Sequence, residues 1–317
     1  MKYAGKKLLW VLLALLAASF VFFLMFDIIP GDPAIAKLGT NATPERLEAL
    51  RAEMGLNRPF LLRYGSWLVD FVRGDFGKSY SYNIPVSDMI LDKLPISVTM
   101  TIMSFIMVMV ISMPLGVVCA RYEGSRIDTV ICATSQIMMS IPPFFSGILI
   151  TLLFGIILNI FTPGGFVSYD KSITGFTASL FFPALAIAIP KAAMSIKLLR
   201  SSLIAESGKD YTRTAYSRGN SHTQAIFNHV LRNALIPVIT FFGMALTDIL
   251  TGSIIAEQVF SIPGLGRILL TSIMNRDYPV VQAIIMLMAV IVTFTNFFVD
   301  ILCRRLDPRI EIGGRAR

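Results

Sequence analysis

Long apolar runs separated by shorter polar segments dominate the pattern along the chain. Six of these runs reach or approach the roughly 20 residues that carry a helix across a bilayer core. They lie over about 8–29, 97–120, 133–160, 181–203, 234–256 and 280–303. Pro142-Pro143 falls inside the third run and predicts a kink or break there. Between the first two runs, the 30–96 segment has helical patterning of its own. Thr43 is placed to cap a helix with Pro44 at its first position and Gly55 at its end. Phe60, Leu61, Tyr64, Trp67, Leu68, Phe71 and Val72 then recur at helical spacing. That stripe suits a helix lying on the outer membrane face and equally one packed against the spans.

Composition fixes the class that the pattern suggests. Of 317 residues 55% are hydrophobic and 15% charged, against about 25% charged in ordinary soluble domains. A soluble core cannot absorb so much apolar surface, so the chain reads as an all-α integral membrane protein. The first run, preceded by Lys6 and Lys7, exceeds the roughly 7–15 apolar residues of a cleaved leader. It is expected to remain as a span, although Ala34-Ile35-Ala36 resembles a cleavage site.

Charge gives the orientation. With the N-terminus inside, 16 of the 28 lysines and arginines fall on inside segments and 11 outside. Eight of those outside lie in the 30–96 segment, which is too long for the bias to govern. Both termini are therefore expected in the cytoplasm.

Catalytic arrangements are missing from the sequence. GDFGKS (74–79) resembles the end of a phosphate-binding loop, but Val72 stands where the first glycine is required. His222 and His229 lack metal-ligand companions, and no nucleophile motif accompanies a base. Cys119, Cys132 and Cys303 have neither metal-ligand spacing nor a disulfide framework and read as small buried hydrophobes. The methionines of the second run (Met100, Met103, Met107, Met109 and Met113) read as adaptable packing. No catalytic residue, metal site or bound cofactor is expected in this chain.

What remains is a polar, basic stretch, DYTRTAYSRGNSHTQAIFNHVLRNALIP, from Asp210 to Pro237. Asp210 to Arg218 suits a short helix ended by Gly219. Ser221 and Gln224 form a capping box for a second helix, with Ile226, Phe227, Val230, Leu231, Ala234 and Leu235 as its apolar face. A DNA-reading helix-turn-helix has this outline, but the second helix runs almost directly into a span and leaves little room for a duplex. Docking of a soluble partner and a plain solvated connection both fit.

This stretch resembles the ATPase-docking loop of ABC-importer permeases, specifically the dipeptide, oligopeptide and nickel branch. The general signature is Glu-Ala-Ala, three residues, then Gly. Here Arg213-Thr214-Ala215 precedes Gly219 by the same spacing, followed by HVLRNALIP (229–237). The resemblance extends along the chain through PGDPA (30–34), MGLNRPFLLRY (54–64), RGDFGKS (73–79) and KLP (93–95). It continues through SIPPFF (140–145), EQVFSIPGLGR (257–267), RDYPVVQ (276–282) and LDPRI (306–310). It implies a type I importer permease with six transmembrane helices. One permease domain over 1–317 would contain an extracytoplasmic 30–96 region and a cytoplasmic 204–233 coupling loop.

The resemblance also implies partners: a second homologous permease, two cytoplasmic P-loop ATPases that bind ATP and Mg, and an extracytoplasmic substrate-binding protein. The lipid bilayer is the surrounding phase, and no nucleic acid is involved. Arg213, Thr214, Ala215, Arg218 and Gly219 would belong to the coupling element, with small Ala215 allowing close approach; that Arg213 and Arg218 meet acidic groups on the ATPase rim is read from their charge and not from the family. Arg213 departs from the signature glutamate, so a salt bridge by that acid does not carry over. Peptide cargo is expected, in a bacterial or archaeal cytoplasmic membrane. Nickel or another metal chelate is the alternative cargo, and a membrane-bound sensor or binding protein is the alternative of another class.

Two charges fall deep inside expected spans, Lys191 in the fourth and Asp248 in the fifth. Such groups cost several kcal/mol unless paired or wet. A pathway role, a structural pair and contact with the second permease all fit. Glu257 is expected just after the fifth span, where the resembled family has a short helical segment near the outer gate, and the resemblance makes it a candidate for that gate.

Overall fold

A computed structural model of the protein describes residues 2–28, 33–38 and 43–306. Its helices, in chain order, are α1 (Lys2–Ile28), α2 (Pro33–Leu38), α3 (Pro44–Glu53), α4 (Phe60–Val72) and α5 (Val86–Arg121). There follow α6 (Arg126–Ser140), α7 (Pro143–Ile150), α8 (Ile173–Ser207), α9 (Asp210–Ser217) and α10 (His222–Ala225). The last are α11 (Leu231–Val259), α12 (Leu265–Met274) and α13 (Tyr278–Leu306). Among the described residues the sole strand-like pairing noted is one bridge, Lys78 to Pro85. Residues 30–32 of the PGDPA segment, Ile29 at the end of the first expected span, and the LDPRI segment beyond Leu306 lie outside the described residues.

Among the described residues five helices are long and apolar enough to cross a membrane: Gly5–Ile28, Val86–Arg121, Ile173–Ser207, Thr223–Val259 and Tyr278–Arg304. The pair Arg126–Ser140 and Pro143–Ile157 is apolar enough as a whole but broken, its halves meeting at 105°, and makes a sixth crossing if the two halves act as one span. The third apolar run thus bends far beyond a kink. Ile141, ahead of Pro142, and Pro142, ahead of Pro143, both sit in extended backbone, as residues preceding proline tend to. Pro143 then opens α7 at a position that needs no N–H donor. Most helices run past the apolar run that predicts them. Hydropathy marks the length in contact with lipid, whereas helical hydrogen bonding continues through the polar turns on either side. α5 shows this best, starting at Val86 rather than near Ser97.

The chain divides into two compact units. The first comprises Met1–Ser97 and Pro263–Phe294. There α3 is capped by the Thr43 hydroxyl, which accepts from the Arg46 amide, and Gly55 follows with φ +68°. The aromatic stripe of α4 packs on α1. Phe20 and Phe23 meet Phe60, Tyr64 and Trp67 at ring-centroid distances of 5.3–5.7 Å. The Tyr64 hydroxyl bonds Ser19 at 2.9 Å, and Arg63 pairs with Asp27. Packing on the first span therefore accounts for Phe60, Tyr64 and Trp67 of the stripe, while Phe71 packs on Trp67 and Phe76. Leu61 and Val72, on the same expected stripe, are instead exposed.

The same unit joins two segments far apart in the chain. Asp277, at the start of α13, is fully buried. Its carboxylate accepts from the Ser79 hydroxyl and from the amides of Tyr80 (2.9 Å) and Ser81 (3.2 Å). The buried charge is thus met by three donors from the loop that carries RGDFGKS. Burial, with the neighbouring Asp277 charge, pushes the Tyr80 hydroxyl up to about 12.

The second unit comprises Val98–Ile262 and Thr295–Arg317. α8 is its most buried long helix, packed by α6, α7 and α11. Small residues set the closest approaches: a Cβ on Gly116 would lie 2.8 Å from Leu199 Cδ2, and one on Gly243 2.0 Å from Val299 Cγ1. Asp128, 5% exposed, accepts two hydrogen bonds from the Arg200 guanidinium at 2.6 and 2.7 Å and a third from the Gly124 amide at 3.0 Å. This ties the first turn of α6 to the last third of α8. Cys119 and Cys132, scattered in sequence, come together beside Asp128 with ligand atoms within 4.8 Å of one another. The guanidinium already holds both oxygens of that carboxylate.

Candidate functional site

The polar stretch after α8 folds into a short, well-terminated helix. Glu206, near the end of α8, accepts from Lys209 Nζ at 2.5 Å and from the Tyr211 hydroxyl at 2.6 Å. The Thr212 hydroxyl donates to its carbonyl at 3.0 Å. These contacts raise the Lys209 amine above its ordinary value, chiefly through the bond to Glu206, and burial raises the Tyr211 hydroxyl. α9 is thereby fastened to the span before it.

α9 ends in a Schellman turn. The Gly219 amide donates to the Tyr216 carbonyl at 2.9 Å and the Asn220 amide to the Ala215 carbonyl at 3.3 Å. Gly219 has φ +87°, where a Cβ would be strained. The expected capping box follows. The Ser221 amide donates to Gln224 Oε1 at 2.9 Å, and the Gln224 amide to the Ser221 hydroxyl at 3.4 Å. From Thr223 the chain stays helical to Val259, including a π-helical segment at Ile226–Val230. That segment changes the expected apolar face. Ile226, Val230 and Ala234 are buried, but Phe227 is 54% exposed, because the wider π turn rotates it off the core.

Arg213 projects outward with 77% exposure, and Thr214, Arg218 and Gly219 are exposed beside it. Ala215 is different. It is 5% exposed and faces its own chain, where its carbonyl also accepts from Asn220 Nδ2 at 3.1 Å. Its small side chain therefore lets the loop pack on itself. Tyr211, Tyr216 and Phe227 add aromatic surface that the signature residues do not include.

Inside the spans, Lys191 Nζ and Asp248 Oδ2 lie 2.5 Å apart. The pair is one-sided: the Asp248 side chain is 58% exposed and that of Lys191 20%. Beside it Thr247 donates to the exposed Asn296 of α13 at 2.9 Å. Neither Thr247 nor Asn296 is conspicuous in sequence, since single polar residues in apolar runs are common. Glu257 lies within the last turns of α11, not beyond the span, and is fully buried. Its carbonyl accepts from the Ile262 amide at 2.8 Å across a turn in which Ser261 has φ +56°. In the same unit a cavity of about 750 Å³ is walled by Phe161, Phe166, Phe181, Phe182 and Phe260.

Comparison with known proteins gives these features a context. The family described as "Binding-protein-dependent transport system inner membrane component" matches residues 112–312, and its N-terminal companion matches residues 1–101. An oligopeptide transport system permease protein, AppB, of Bacillus subtilis (strain 168) is 34% identical over 98% of this chain and 99% of its own length. A glutathione transport system permease protein, GsiC, of Escherichia coli O1:K1 / APEC is 32% identical over 98% and 99%. A dipeptide transport system permease protein, DppB, of Alkalihalophilus pseudofirmus is 31% identical over 98% and 99%. The helical architecture, the long apolar spans and these matches from end to end agree, and the chain belongs to the inner-membrane component family of binding-protein-dependent transport systems.

Proposed function

We propose that this chain is one of two permease subunits of an ATP-driven importer of di- or oligopeptides. It forms half of the translocation pathway, and α9 docks into a groove on a cytoplasmic ATPase. One observation carries the coupling role. α9 presents Arg213 and Arg218 outward while being fastened to α8 through Glu206 and joined, across the tight Gly219 turn, to the helix that runs unbroken from Thr223 through α11. A docking element can move spans only if it is stiffly joined to them. ATP and Mg belong to the ATPase subunits, and this chain is a transport subunit rather than an enzyme. The cargo class rests on the relatives, whose names specify oligopeptide, dipeptide and glutathione transport. Nickel is not favoured by them.

The test begins with gentle purification of the tagged full chain from its own cells. Co-purifying P-loop ATPases and a second, similar permease are the expected result. Repeated recovery without an ATPase, under conditions that preserve another importer, overturns the reading. The double charge reversal Arg213→Glu and Arg218→Glu should then reduce ATPase recovery at least severalfold while the chain stays in the membrane. Full retention would remove the arginines from the interface.

A further inference from the structure

Membrane-facing surface and the surface around Asp248 differ in kind. On α1 the outward residues Leu9, Trp10, Leu12, Leu13 and Leu16 are all apolar. On α11 the outward residues Met244, Asp248, Thr251, Ile255 and Gln258 recur at helical spacing and form one mixed stripe. A carboxylate more than half exposed near the middle of a span is not compatible with lipid. The stripe must meet water, cargo or protein.

The chemistry of the pair selects among these. A permanent structural pair is best buried on both sides, as Asp128 and Arg200 approach in this same chain. Asp248 instead turns much of its carboxylate outward, and Asn296 and Thr251 supply uncharged hydrogen-bonding groups on exposed positions nearby. Lys191 directly follows Pro190, which interrupts the hydrogen bonding of α8. An ion pair that opens toward a zwitterion keeps its count of opposite-charge contacts. The ammonium takes the aspartate, the carboxylate takes the lysine, and no charge is left unmatched in a poorly polar setting.

We infer that Lys191 and Asp248 form a cargo-binding site that recognises the charged termini of a peptide: Asp248 holds the α-ammonium and Lys191 the α-carboxylate. This rests on the peptide reading above and adds to it a point of selection within the permease itself. Apart from the binding protein, the permease would then prefer free peptides over end-blocked ones.

The test uses the assembled permease–ATPase complex without binding protein, so that selection elsewhere does not enter. Binding of tri-alanine and of N-acetyl-tri-alanine amide is measured by saturation-transfer NMR for the wild type and for Lys191→Met/Asp248→Asn. The double variant is chosen because removing both charges leaves none unpaired. The wild-type complex should favour free tri-alanine by about tenfold or more, as expected for charge-assisted contacts, and the double variant should bind both alike. No preference in the wild type, a preference that survives in the variant, or a variant that no longer assembles would each overturn the inference. Uptake of tri-alanine into liposomes by the complete wild-type importer is measured alongside. Absent uptake there means that the peptide reading itself has failed, whereas uptake with equal binding sinks only the terminus site.

Discussion

Asp277 illustrates how much one side chain can organise. Its carboxylate is the common acceptor for Ser79, Tyr80 and Ser81. An asparagine there would keep one acceptor oxygen and turn its amide NH2, a donor, toward groups that are themselves donors. We expect Asp277→Asn to destabilise the chain by about 1.5–3 kcal/mol, the usual weight of a hydrogen bond to a charged group. A lowered melting temperature in detergent and earlier protease cleavage between Gly74 and Asn83 would report it, and an unchanged melt would contradict it. At Gly219 the difficulty lies in the backbone, since no atom lies within 4 Å of a built Cβ. Gly219→Val should cost about 1–2 kcal/mol in the α9 turn and depress transport more than membrane insertion. Equal losses of both would argue for a general folding defect. Residues such as Gly219, Ser221 and Gln224 were legible in sequence because caps and turns are local chemistry. The pairings of Asp277 with Ser79 and of Asp128 with Arg200 were not, because nothing in linear spacing records them.

Between elements, contact distance is set by glycine and charge. α11 meets α13 where a Cβ on Gly243 would fall 2.0 Å from Val299 Cγ1 and 3.0 Å from its Cβ. Gly243→Ala must part the two helices, at about 1–3 kcal/mol for an overpacked contact. Val299→Ala in the same chain should recover most of that loss, which a double-mutant cycle of thermal stability would detect. Absence of coupling would mean the helices separate elsewhere. The link from α6 to α8 is electrostatic instead. Arg200→Met leaves Asp128 unpaired and should cost about 3–5 kcal/mol, whereas the further change Asp128→Asn should restore part of it. A single variant as stable as the wild type would show the pair to be dispensable. Apolar run length foretold these elements well where lipid sets the length. It missed the polar extensions of α5 and α8, because hydropathy falls where a helix leaves its apolar run, and the π-helical segment at Ile226–Val230, because a wider turn leaves hydropathy unchanged.

For the whole molecule, the surface left open is as informative as the core. Asp248, Thr251 and Gln258 are exposed along one face of α11, whereas the outward face of α1 carries Leu9, Trp10, Leu12, Leu13 and Leu16. A chain expressed without a second permease presents that polar stripe to lipid, where it is costly. Co-expression should therefore lengthen its lifetime in the membrane, as a pulse-chase measurement would show. Equal lifetimes would imply that the stripe is already covered. The class of the molecule was plain from apolar content and the ordered motifs, but the one-sided exposure of Asp248 depends on how α8 and α11 pack, which linear spacing does not record. The Asp277 clamp has a further consequence, in time rather than space. Ser79 and Asp277 are separated by 198 residues, so the loop cannot be fastened when it first crosses the membrane. At ordinary synthesis rates it waits roughly 10–40 s for its anchor. Nascent chains halted before Asp277 should be cut readily at that loop from the outer side, and chains halted well beyond it should resist. The last span to be made is thus the one that finishes the first loop.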